Sequence, residues 1–184
     1  GRRSGRRVRR PSRLTCALSR TPSHLRTPEL WPAPSAGPAV ARATAVVRRL
    51  RTLTVLSRLA SAPGNATTTL YRMQAPNRLS GIERGSGAGE VIIGARRWDR
   101  DSAHGAWQAS SAVPVRQPSV PWPPVIRDAH LVGDATVRGR PVSLVSFMDT
   151  STPAWYTIAV DKANGRPLFM DMIATAHFMH EDYS

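Results

Sequence analysis

Lysine and cysteine are almost missing from this chain of 184 residues: Lys162 is the one lysine beside 25 arginines, and Cys16 is the single thiol. A lone cysteine excludes an internal disulfide and a cysteine cage for a metal, and leaves the redox compartment open. Aromatic residues make up 6%. No stretch approaches the roughly 18 apolar residues of a membrane-spanning helix. The Arg-rich start is not followed by the apolar core of a signal peptide. Gly1 stands where a Met would begin a reading frame, so the chain is expected to be a fragment or an upstream-extended frame, with any export signal or anchor outside it.

Motifs of catalysis are missing too. There is no Gly-x-Ser-x-Gly elbow and no convergent set of nucleophile and base, so the chain is not expected to be an enzyme, and no cofactor is implied. Asp99 and Asp101 have the spacing of an acid/base pair on one strand face, but beside Arg97 and Arg100 they read better as a polar turn. The glycines from Gly85 to Gly89 lack the spacing of a dinucleotide fingerprint and stand between two strands, so they read as a loop.

What the chain has in excess is positive charge, at one end. The net charge is +14; residues 1–60 hold 14 Arg against Glu29, and residues 61–184 are close to neutral. Seven Arg in the first 13 positions and Pro at 11, 22, 28, 32, 34 and 38 leave little to bury, which predicts a disordered basic tail over 1–37. Such a tail can bind nucleic acid through phosphate contacts. The Arg skew points instead to a high-GC codon bias, so nucleic acid is the weaker partner.

From Pro38 the pattern becomes that of a folded domain, expected over 38–184. Ala39, Ala43, Val46, Val47 and Leu50 fall at helical spacing, and Pro38 suits a first turn, which predicts a helix over 38–50 leading into a strand at 52–56. Strands are expected at 67–74, 78–83, 90–94, 126–132, 135–138, 141–148 and 154–160, in an antiparallel meander. Five prolines between 114 and 124 make residues 99–124 an ordered loop crossing the sheet. Asn164-Gly165 supplies a hairpin turn, after which Pro167 to Phe178 forms the returning strand. On it Leu168, Met170, Met172, Ala174 and Ala176 share one face.

Val160-Asp161-Lys162-Ala163-Asn164-Gly165-Arg166-Pro167-Leu168, between an aromatic strand and one with alternating methionines, resembles the lipoprotein-carrier (LolA/LppX-like) superfamily. Tyr71-Arg72-Met73-Gln74-Ala75-Pro76-Asn77-Arg78-Leu79 looks like the same family. More narrowly, Ile173-Ala174-Thr175-Ala176-His177-Phe178-Met179-His180 and Thr152-Pro153-Ala154-Trp155 resemble an extracytoplasmic domain found behind copper-resistance-type membrane segments in actinobacteria.

The resemblance covers about residues 40–184. It implies an α+β fold, a strongly curved antiparallel sheet or half-barrel, with one or two helices on its concave face and an apolar cavity between. It also implies a periplasmic or cell-surface location. A lipid or other apolar ligand is the implied partner, with a membrane protein or membrane-anchored segment outside this chain. The family pattern leads to further strand or helix beyond Ser184, and no lipobox cysteine precedes the domain.

Two sets of residues are candidates for function. Trp155, Ile158, Met170 and Met172 are expected near the cavity; with Trp98, Trp107, Trp122, Met73 and Met148 they either line it or fill the core. His177, Met179 and His180 are soft enough for copper. In a continuing strand His177 and Met179 share a face and His180 points away, whereas a turn or helix would join His177 to His180. The leading function is a non-enzymatic binding module for an apolar ligand; the alternatives are a copper-handling accessory domain and nucleic-acid binding through the tail. Asn65-Ala66-Thr67 matches a glycosylation sequon and is given no role.

Overall fold

The computed structural model describes residues 36–184. Most of the basic segment and Cys16 lie outside these residues.

The described chain opens with helix α1, Ala36–Arg49, two residues earlier than its spacing predicts. Ala36, Val40, Ala43 and Val47 recur every three to four residues and are the buried stripe. Arg48 and Arg49 occupy the last turn, where cations complement the helix dipole.

Eleven strands come after it: β1 (Thr52–Ala62), β2 (Asn65–Gln74), β3 (Arg78–Glu83), β4 (Gly89–Ile93), β5 (Arg96–Arg100), β6 (Gln108–Ser111), β7 (Arg127–Val137), β8 (Arg140–Asp149), β9 (Ala154–Asp161), β10 (Pro167–Ala174) and β11 (His177–Tyr183). They form one open antiparallel half-barrel in the order β6-β5-β4-β3-β2-β1-β11-β10-β9-β8-β7. Two meanders are thus joined where β1 pairs with β11, Val55 lying opposite Tyr183 and Leu59 opposite Met179. The edge strand β7 carries two register shifts, which interrupt the regular edge that could template another chain.

Two turns show why the meanders close as they do. Arg138 and Gly139 both have positive φ, at 50° and 74°, the two-residue turn that matches strand twist. Between β9 and β10, Gly165 has φ 75° and the Asp161 carboxylate accepts a hydrogen bond from the Ala163 amide at 2.8 Å. The Arg140 guanidinium meets the same buried carboxylate at 2.8 Å.

Several strands differ from expectation. The two strands expected at 126–132 and 135–138 are one continuous strand, β7, Arg127–Val137. The returning strand breaks at Thr175-Ala176, and the chain turns back there as β11. The segments expected as turn and loop form β5 and β6. β5 ends at Arg100, so Asp101 is off the strand and makes no pair with Asp99.

Helix α1 lies on the concave face against β7, β8 and β9. There Val40, Ala43 and Val47 join Val145, Phe147, Tyr156, Ile158 and Met170 in the core. Residues 112–126 cross the same face, as expected of the Pro-rich segment. Trp122 is buried within the core, and its indole N–H donates to Thr44 Oγ1 of the helix at 2.9 Å. Phe147 stacks on Tyr156 with centroids 5.3 Å apart, and Trp122 meets Phe147 edge-on at 6.3 Å.

Candidate functional site

The helix covers the β7–β9 half of the concave face. Among the described residues, the cover over the β1, β2 and β11 half is the crossing segment, and a cavity of about 290 Å³ remains there. Its sheet side is built from residues of four neighbouring strands: Val55, Ser57 and Leu59 of β1, Thr67, Thr69, Tyr71 and Met73 of β2, Leu79 of β3, and Met179, Glu181 and Tyr183 of β11. Ser119, Val120 and Pro121 form the opposing wall. The lining is mainly apolar, with hydroxyls and one carboxyl.

That carboxyl belongs to Glu181, which is 7% exposed. Tyr183 donates its hydroxyl to Glu181 Oε2 at 2.7 Å, and Ser57 stands opposite Glu181 across the β1–β11 pairing. Burial holds the Glu181 carboxyl above the usual carboxylate range, against the opposing pull of the Tyr183 and Ser57 hydroxyls and of His180. Burial, and then the adjacent Glu181, push the Tyr183 phenol well above its ordinary value. Tyr71 is raised by burial first, with Glu90 and then Glu181 contributing.

Tyr71 owes its position to a glycine. It pairs with Gly81 across β3, and a Cβ there would lie 2.6 Å from the Tyr71 ring. The bare backbone at Gly81 thus lets the ring lie across the neighbouring strand.

The candidate ligand residues from sequence fall elsewhere. Ile158 and Met170 are fully buried in the core, and Met172 packs partly buried against it; none lines the cavity. Trp155 is on the opposite, convex face and 44% exposed, because strand alternation sends it away from Ile158. It stands in a convex row with Ile173 and Phe178 and meets the His130 ring edge-on. Of the other tryptophans and methionines, Met73 does line the cavity, Trp122 is core, and Trp107 lies under the Arg100 guanidinium at 4.8 Å.

The soft-ligand trio is divided. His177 and Met179 project to the concave face, whereas His180 projects to the convex one, where its Nδ1 lies 2.6 Å from Asp171 and its Nε2 3.5 Å from Asp182. The three cannot hold one ion together. Among the described residues no three His, Cys, Asp or Glu side chains are grouped as metal ligands. Glu181, Ser57 and Tyr183 carry no signal in the sequence: their meeting depends on a strand pairing between opposite ends of the domain.

No family model matches the chain, and no curated protein matches it. Solved structures do. The lipoprotein LppX of Mycobacterium tuberculosis superposes with a TM-score of 0.60 at 11% identity, over 82% of this chain and 94% of that one. LprF from Mycobacterium bovis gives 0.55 at 10% identity, over 83% and 93%. MucB gives 0.54 at 13%, over 83% of this chain and 59% of that one. At such identities the likeness is one of fold alone: this chain shares the half-barrel architecture of LppX, LprF and MucB.

Proposed function

We propose that this chain is a non-enzymatic, extracytoplasmic binding module that holds an apolar or amphiphilic ligand against the concave face of its half-barrel. The supporting observation is the cavity over β1, β2 and β11, where Val55, Leu59, Met73, Val120 and Met179 turn apolar surface toward space that the helix does not fill. Affinity comes from burying the ligand's apolar surface, about 25 cal/mol per Å² before the costs of association. The fold shared with the mycobacterial lipoprotein LppX supports the extracytoplasmic placement, and no helix among the described residues is long and apolar enough to cross a membrane.

Calorimetric titration of the full chain with 1-octanol, below its solubility limit, tests this reading. Saturable binding with a negative heat-capacity change is expected, the signature of apolar burial. Absence of binding at every temperature, by protein that remains folded, would overturn it.

A further inference from the structure

The one charge that lines the cavity among the described residues bears on the head group of its ligand, provided the cavity binds one as proposed above. The register places Arg58, Arg72, Arg78, Arg96 and Arg100 on the convex face of β1–β5, with no acidic residue beside them on that face of those strands. The concave face of β1–β5 and β11 has the opposite character: Glu83, Glu90, Asp99 and Glu181 stand there against Arg97, with His177 at the start of β11. Arg97 is already committed, at 3.2 Å to Glu90 and 2.8 Å to Asp99. The concave face of these strands is thus acidic in a chain whose net charge is +14.

Glu181 is the one charged side chain that lines the cavity among the described residues. Tyr183 takes one of the roughly four acceptor positions of its carboxylate, which leaves acceptor capacity for a ligand. An ammonium or hydroxyl placed there gains a hydrogen bond to a buried acid, stronger when charge-assisted. A ligand carboxylate or phosphate would instead bring a second acid into a site shielded from water, where like charges cannot both remain ionised without cost. The space of about 290 Å³ lies near the foot of the roughly 300–1,000 Å³ range of small-ligand sites, room for one short chain.

We infer that the cavity selects single-chain amphiphiles whose head is a hydrogen-bond donor, a primary ammonium above all, bound at Glu181, and rejects those ending in a carboxylate or phosphate.

The test is calorimetric titration of the full chain near neutral pH with octylammonium, 1-octanol and octanoate, three heads on one tail. Octylammonium should bind about tenfold or more tighter than octanoate, with octanol between them, the difference expected of one charge-assisted hydrogen bond. Glu181→Gln keeps the side-chain shape and removes the charge, so it should weaken octylammonium far more than octanol and bring the two within about threefold of each other. Octanoate bound as tightly as octylammonium, with octanol also bound, would overturn the head-group inference and leave the binding module standing. An ammonium preference that survives in Glu181→Gln would overturn the assignment to Glu181. If none of the three binds, both proposals fall. The ordering in the wild-type chain needs no variant and decides the matter even if Glu181→Gln does not fold.

Discussion

The hydroxyl of Tyr183 donates to the buried carboxyl of Glu181 at 2.7 Å, two residues along the same strand and on the same concave face. Because burial raises the Glu181 pKa, the folded chain holds that proton more firmly than the unfolded chain. Stability must then fall as pH rises from the ordinary carboxylate value through the raised folded one. Carboxylates held low, such as Asp149 with its hydrogen bonds from Ser151, act in the opposite sense and lose their contribution as pH falls. The difference between the wild type and Glu181→Gln isolates the first effect: chemical denaturation should show the variant gaining stability relative to the wild type from acid to neutral pH. Tyr183→Phe should steepen the wild-type decline and cost about 1 kcal/mol, the worth of one hydrogen bond. A wild type and Glu181→Gln with parallel pH profiles would contradict the buried acid.

Gly81→Ala should act on the cavity through Tyr71. The added methyl meets the ring at 2.6 Å, so the ring must move. Overpacking of this kind costs about 1–3 kcal/mol. The expected result is a lower denaturation midpoint together with weaker binding of 1-octanol. An unchanged midpoint and affinity would show that the ring position is not set by the glycine.

Trp122 ties the crossing segment to the helix, and Val120 and Pro121 beside it wall the cavity. Trp122→Phe keeps most of the apolar burial and removes the bond to Thr44, at a cost of about 1 kcal/mol. Thr44→Val should cost little more once Trp122 is already Phe, so a double-mutant cycle should show coupling of about 0.5 kcal/mol or more. Additive effects would mean that the bond contributes nothing.

The half-barrel is legible in the sequence where its signals are local. Asn164-Gly165 between an aromatic strand and an alternating one marks β9 and β10, and Ala43 and Val47 mark the buried stripe of α1. β5 is not legible, because Arg96-Arg97-Trp98-Asp99-Arg100 has no apolar alternation. It becomes a strand through pairing, with Arg97 bridging to Glu90 across β4. β11 reads from sequence as the end of β10, since its partner β1 lies at the other end of the domain. Ile158 and Met170 have the apolar character expected of a cavity wall. That character cannot reveal that α1 settles on β7–β9 and turns those side chains into core, leaving the space over β1, β2 and β11.

Native mass spectrometry of the full chain, produced in a bacterial host and compared with Thr69→Trp, tests most directly whether this space holds a ligand. Thr69 lines the cavity on β2, and the indole is placed to fill it while the sheet is retained. The wild type should carry a discrete added mass that solvent extraction removes. Thr69→Trp, with the β-type circular dichroism of the wild type, should fly bare. A wild type at its bare mass, or an adduct that persists in Thr69→Trp, would contradict a ligand held over β1, β2 and β11.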